Sequence, residues 1–268
     1  MKPKDFLATR RVFTRREFVA ALDDGKRTGQ TRDSLLAYYA RTGRVLRVRR
    51  GLFASVPAGM EPAQCPVDAF LLAGRMTDDA VLGYHTALAF HGRAHSVSHE
   101  FRYLTARHAR PLAWRGNRFL PVAFPAALRR AKQEAFGVRT VDRLGLSVRV
   151  TTHERTLVDV LDRPDLGGGW EEVWRSLESV EFFDLDQVVT YALLLDNATT
   201  AAKVGFFLQT HREALMVPDG PLGRLRERRP AAPHYLDPSA ARGRGRLVAE
   251  WNLVVPAEIL DRAWEEPA

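Results

Sequence analysis

The stretch from Thr14 to Pro57 limits the fold of this chain most, because it sets two short amphipathic helices ahead of a basic hairpin. Val45, Leu46 and Val48 read as one short strand, and Leu52, Phe53 and Val56 as a second. Arg49, Arg50 and Gly51 form the turn between them, with Gly51 free to take a positive φ. Arg44, Arg47, Arg49 and Arg50 therefore stud the rim and tip of the hairpin. Upstream, Thr14 and Glu17 have the spacing of a capping box, which opens a helix with Phe18, Val19, Ala21 and Leu22 along one stripe and a stop at Asp23–Gly25. Thr31 is expected to cap a second helix carrying Leu35, Leu36, Tyr38 and Tyr39, with Gly43 closing it. Helix, helix and basic hairpin is the order of a winged helix-turn-helix.

In that architecture the first turn of the second helix enters the major groove, where Arg bonds guanine and Ser bonds a base edge or a phosphate. The DNA-binding candidates are Arg15 and Arg16 at the first helix, Thr31, Arg32 and Ser34 at the second, and Arg44, Arg47, Arg49 and Arg50 on the wing. The plainer alternative makes Arg32 and Asp33 a solvated helix start. Charge favours the nucleic-acid reading. Residues 1–57 hold 14 Lys and Arg against 5 Asp and Glu, a net of +9, while the whole chain is +8. The basic excess lies in the first fifth of the sequence, as a phosphate-binding footprint would.

The wing segment, with Gly51-Leu-Phe-Ala-Ser-Val-Pro57 at its end, resembles the N-terminal region of AbiEi-family antitoxins of type IV toxin–antitoxin systems. Gly83-Tyr-His-Thr-Ala-Leu-Ala-Phe-His-Gly92 and Thr151-Thr-His-Glu-Arg-Thr-Leu-Val-Asp159 resemble further blocks of that family. The similarity runs to the Gly167–Gly169 block and more loosely beyond. It implies a winged helix that represses its own operon by binding inverted repeats in double-stranded DNA. It also implies a larger domain that counters a cognate nucleotidyltransferase-like toxin.

The expected architecture is α+β: a winged helix-turn-helix over 1–57, a Pro-punctuated linker over 58–66, and a mixed α/β domain over 67–268. In that domain one helix is expected from about Val67 to Met76, and a second starting after Asp78 and Asp79 and running through Val81, Leu82, Tyr84, Leu88 and Phe90. Strands are expected over Phe101–Thr105, Phe119–Phe124 and Leu146–Thr151. Thr151 and Glu154 have capping-box spacing ahead of Leu157, Val158, Val160 and Leu161. Helices then start near Trp170, after Asp184 and near Thr199, and Arg246–Val255 reads as a final strand. Pro230, Pro233 and Pro238 and the basic run 242–246 precede that strand.

No apolar run approaches the ~20 residues of a membrane span, and the N-terminus has no apolar signal-like region. Cys65 is the single cysteine, as in a reducing cytoplasm, and the arginine-rich composition fits a GC-rich bacterial genome. A cytoplasmic protein without membrane partner, metal or cofactor is therefore expected.

Several residues invite a catalytic reading. Five of eight histidines fall between His85 and His108, but no cysteine or nearby acidic cluster completes a tetrahedral site. Gly167–Gly169 lacks the GK[ST] ending of a P-loop and reads as a flexible turn. Asp142, Glu154 and Asp159 would carry the rival reading, a DNA-tethered nuclease or phosphotransferase. Glu154 is already a cap, however, and Asp159 is placed to pair with Arg155 or anchor a loop.

Overall fold

The computed structural model describes residues 2–22, 29–237 and 245–262. It begins with α1 (Pro3–Thr9), β1 (Val12–Thr14), α2 (Arg15–Ala21), α3 (Gly29–Arg41), β2 (Val45–Arg49) and β3 (Leu52–Ser55). The strands form a sheet ordered β1-β3-β2, antiparallel throughout, with Val12 opposite Ala54 and Val45 opposite Ser55. Four phenylalanines hold this layer. Phe13 on β1 lies 5.1 Å from Phe6 of α1 and 5.8 Å from both Phe18 of α2 and Phe53 of β3, ring centre to ring centre. Such contacts add about 0.5–1.5 kcal/mol per pair to area burial. Leu22, Leu36, Tyr39 and Val45 complete the core.

The second helix departs from expectation at its start and meets it at its end. It begins at Gly29, so Thr31 lies inside the first turn and is not its cap. The stop expected at Asp23–Gly25 falls outside the described residues. At the other end Gly43 takes φ +72, its amide donates to the Ala40 carbonyl, and the Arg44 amide donates to the Tyr39 carbonyl. This is a Schellman closure, which favours glycine at that position. A Cβ on Gly43 would also meet Pro62 Cγ at 2.7 Å.

The chain continues through α4 (Ala69–Ala73), β4 (Val81–Leu82), α5 (His85–Phe90), β5 (Glu100–Thr105), β6 (Leu112–Trp114), β7 (Asn117–Ala123), α6 (Ala126–Ala131), β8 (Val138–Arg143) and β9 (Leu146–Thr151). Six of these strands make a second sheet, ordered β6-β7-β5-β4-β9-β8. Along β9, Leu146, Val148 and Val150 are buried and Ser147 is exposed, the period-2 pattern of the sequence. Val81 and Leu82 are a strand and not helix, because Tyr84 at φ +55 breaks the backbone and delays the helix to His85.

The remaining elements are α7 (His153–Asp162), α8 (Pro164–Gly167), α9 (Trp170–Glu178), α10 (Leu185–Leu194), α11 (Ala198–Thr210), α12 (Asp219–Arg226), β10 (His234–Tyr235), β11 (Gly245–Val248), β12 (Leu253–Pro256) and α13 (Ala257–Leu260). The cap of α7 is Thr152, one residue later than expected, and its hydroxyl accepts from the Arg155 amide. Glu154 does not return to the cap but accepts from the Asp184 amide. The expected single strand at Arg246–Val255 is two antiparallel strands, β11 and β12, with Asn252 at φ +48 in the turn. Pro238 and residues 242–244 of the basic run lie outside the described residues.

The fold is thus α+β, with an N-terminal winged helix-turn-helix. Its compact units do not divide at 58–66. One unit comprises Met1–Leu82, His99–Pro121 and Thr140–Arg149; the other comprises Gly83–Ser98, Val122–Arg139 and Val150–Ala268. Residues 58–66 are held inside the first unit. Arg115 donates to the carbonyls of Pro62 and Cys65, and Cys65 is buried. The prolines that look like a linker in sequence are therefore a docked segment. The first unit holds 22 Lys and Arg against 11 Asp and Glu, a net of +11; the second holds 18 against 21, a net of −3. No helix among the described residues is long and apolar enough to cross a membrane.

Candidate nucleic-acid interface

The wing is built as its sequence predicts. β2 and β3 pair from Val45–Ser55 to Arg49–Leu52, and an irregularity between Arg47 and Arg49 adds twist near the tip. Gly51 sits in the turn at φ +81 with open space around it, so a side chain there would meet backbone strain and no clash. Arg44, Arg47 and Arg50 are exposed and, among the described residues, face no carboxylate at ion-pair distance. Arg49 is exposed too, but its guanidinium donates to the Met76 carbonyl, which fixes it against the body of the first unit.

The capping box at α2 is present: the Thr14 amide donates to Glu17 at 2.6 Å, and the Glu17 amide donates to the Thr14 hydroxyl at 3.2 Å. Arg15 is engaged by Asp33 of α3 through Nε at 2.7 Å and Nη2 at 2.5 Å. These hydrogen bonds, with charge attraction added, raise the Arg15 pKa and lower that of Asp33. The fork joins the two helices, so Asp33 is more than a solvated helix start. Arg16 is far more open: its side chain is 90% exposed and meets Asp78, 4.0 Å away and itself 82% exposed.

Thr31 and Ser34 are exposed on the first turns of α3, whereas Arg32 is only 7% exposed. That burial differs from both sequence readings of Arg32, a base-edge contact and a solvated helix start, each of which needs an exposed side chain. Its neighbours at i−1 and i+2 occupy the outward positions.

Beside the wing a cleft of about 660 Å³ is lined by Arg15, Arg16, Arg49, Arg75 and Arg149, together with Glu17, Asp78 and the Thr14, Thr77 and Ser147 hydroxyls. Arg75 and Arg149 were not among the sequence candidates, since each is a lone arginine in an apolar stretch. Burial lowers the Arg75 pKa, against the attraction of Glu17, whose Oε1 lies 3.7 Å from Nη2. Arg149 donates to the Asp78 carbonyl at 3.1 Å.

In the second unit the motif side chains serve packing. Arg155 is fully buried, donates to the carbonyls of Glu134 and Phe136 at 2.8 and 2.6 Å, and lies 3.3 Å from Asp159. Asp159 also accepts from the Tyr191 hydroxyl at 2.6 Å. Burial pushes the Asp159 carboxyl up, with Arg155 and Tyr191 opposing it. Of the two expected roles the pairing with Arg155 is seen; the second partner of Asp159, Tyr191, lies on helix α10 and not on a loop. Asp142 accepts from the Gly145 amide in the β8–β9 turn, so this residue, Glu154 and Asp159 each have a local structural partner.

The histidines are similarly occupied. Glu172 accepts from the amides of His95 and Ser96, from the Ser176 hydroxyl, and lies 3.2 Å from His85 Nε2. The His91 and His153 rings lie against each other with centres 4.4 Å apart and planes inclined at 51°, and His91 Nε2 lies 2.8 Å from the Thr151 carbonyl. No group of three His, Cys, Asp or Glu that could hold a metal occurs among the described residues. Gly167–Gly169 forms a tight turn and not a loose one: a Cβ on Gly167 or Gly168 would meet Val173 at 2.5 Å or Glu172 at 2.7 Å.

These features define an α+β protein whose winged helix-turn-helix presents the exposed arginines Arg44, Arg47 and Arg50. Among solved structures the chain is similar to the Rv2827c protein from Mycobacterium tuberculosis, with a TM-score of 0.58 and 16% identity over 98% of this chain and 93% of that one. At that identity the likeness shows the fold. No family model matches the chain, and no curated protein matches it.

Proposed function

We propose that this protein is a bacterial, cytoplasmic, DNA-binding antitoxin and transcriptional autorepressor of a type IV toxin–antitoxin operon. The observation that carries the DNA half is the wing: Arg44, Arg47 and Arg50 stand exposed, with no carboxylate partner among the described residues, on a unit of net charge +11. Exposed arginines on a rigid hairpin supply the phosphate contacts that dominate affinity for duplex DNA. Thr31 and Ser34, at the outward positions of α3, are the residues offered to base edges.

The partner sites are inverted repeats in operator DNA, and the cognate toxin is nucleotidyltransferase-like; this half rests on the resemblance of the wing, Gly83–Gly92 and Thr151–Asp159 blocks to AbiEi antitoxins. Replacing Arg47 and Arg50 together by Ala is expected to weaken all duplexes alike and to flatten the dependence of log K on log salt by about 1.8, two phosphate contacts. An unchanged slope would remove the wing from the interface. Co-expression of the full chain with the toxin of the adjoining gene, scored by growth, tests the antitoxin half; failure to rescue growth would sink it.

A further inference from the structure

A second arginine-bearing element stands next to the wing. The segment between β5 and β6 carries Arg107, His108 and Arg110. It lines a cleft of about 570 Å³ whose opposite residues include Arg49 of the wing and Thr77 and Asp78. Arg107, His108 and Arg110 are exposed, and among the described residues neither arginine pairs with a carboxylate.

The segment is anchored. Asp79 accepts from the Ala106 amide and from the Thr105 hydroxyl, both at 2.6 Å, and the Arg107 amide donates back to the Thr105 hydroxyl at 3.0 Å. Burial works against ionisation of Asp79, but these bonds and one from Thr77 outweigh it and hold its carboxyl below the ordinary range. An ionised anchor that fixes the start of a short cationic segment reduces the ordering cost of binding. Among the described residues, no hydrogen bond or ion pair of the first unit uses the two guanidinium groups that the anchor presents.

We infer that the 106–111 segment is a second phosphate-binding edge, which extends the duplex footprint from the wing across the cleft shared with Arg49. The inference rests on the DNA-binding reading above and adds to it Arg107 and Arg110 as backbone-contacting residues and Asp79 as a positioning residue. Each arginine takes a phosphate oxygen as a charge-assisted acceptor and carries no sequence preference. Sequence reading missed the element because its arginines are interleaved with histidine, alanine and proline some 50 residues beyond the wing, and nothing local marks them as its neighbours.

The test uses the full chain and a mixed-sequence duplex of about 30 base pairs, titrated over a range of salt. Arg107→Ala with Arg110→Ala is expected to lower the slope of log K against log salt by about 1.8, as two lost phosphate contacts require. The charge-matched control is Arg129→Ala with Arg130→Ala, an exposed pair on α6 of the second unit, for which the slope should stay at the wild-type value. Asp79→Asn keeps every arginine, so weaker duplex binding with an unaltered far-UV spectrum supports its positioning role.

Four results would overturn the inference, and they are distinguishable. A wild-type protein that binds no duplex removes both this inference and the DNA-binding reading. Wild-type binding that depends on Arg47 and Arg50 but not on Arg107 and Arg110 removes only the second edge. Equal losses from the 107/110 and 129/130 pairs would show a diffuse charge effect and no built edge. Arg107→Glu with Arg110→Glu covers the case in which alanine leaves residual attraction; an unchanged slope there is equally fatal.

Discussion

In the first unit, Arg44, Arg47 and Arg50 stand exposed with no carboxylate partner among the described residues, whereas in the second Arg155 is fully buried among carbonyls, Asp159 and the Tyr191 ring. One side-chain type is used in two ways. On the wing the charge does nothing for folding and remains available to an outside anion. In the second unit the charge is spent on the chain itself, tying α7 to the segment before β8. The net charges of +11 and −3 follow the same division. What separates them is desolvation: an exposed guanidinium loses little when its partner is removed, and a buried one cannot be left alone.

The largest expected effect tests that contrast directly. Asp159→Ala leaves Arg155 buried with its charge uncompensated and removes the acceptor of the Tyr191 hydroxyl. The loss is expected to be about 3–5 kcal/mol, read by urea denaturation. Arg47→Ala with Arg50→Ala should stay within about 0.5 kcal/mol of wild type in the same assay, as surface substitutions do. Equal losses from the two variants would end the distinction between outward and inward charge.

How far this could be read in the sequence follows the same line. The capping box at Thr14 and Glu17, the Gly43 closure, the wing and β9 all rest on local signals, and each is where its residues put it. Arg155 and Asp159 were legible as a pair because they are four residues apart on one helix. Long-range placement was not legible. Nothing near Arg32 marks it as buried, and the prolines of 58–66 give no sign of the Arg115 side chain that holds them. The two-residue strand β4 and the three-residue β6 are too short for any periodicity to reveal. The unit boundaries are set by segments brought together from three stretches of chain, which no local composition shift records.

A middle-sized effect concerns the adjoining His91 and His153 rings of the second unit. Burial lowers the pKa of His91 from 6.5, and burial together with the neighbouring His91 lowers that of His153. In both cases the unfolded chain takes up a proton at higher pH than the folded one. Stability is therefore present above about pH 6.5 and is lost as pH falls through the folded-state values, at up to about 1.4 kcal/mol per pH unit for each group. His153→Gln should reduce the acid-side slope of urea stability between neutral pH and pH 5. The wing arginines do not titrate there, so the Arg47/Arg50 variant should keep the wild-type slope. An acid-side slope unaffected by His153→Gln would show that the His91–His153 pair is not what makes the second unit acid-sensitive.

The smallest expected effect lies at Asp78, the one acidic side chain that lines both clefts beside the wing. Its carboxylate sits 4.0 Å from Arg16, with the two side chains 82% and 90% exposed. A pair that open is strongly screened and contributes little to folding. Asp78→Asn keeps the backbone carbonyl that accepts from Arg149, so the local geometry is retained. Stability should not move measurably. Duplex binding should tighten by up to about fivefold, near 1 kcal/mol, because a negative charge next to the phosphate path is removed and Arg16 is released. The gain should shrink as salt rises, since the repulsion acts through solvent. The outcome that would break the comparison is a loss of stability without a change in DNA affinity. That result would make Asp78 a structural partner of Arg16, and the outward charges of the first unit would then serve the fold as Arg155 and Asp159 do in the second.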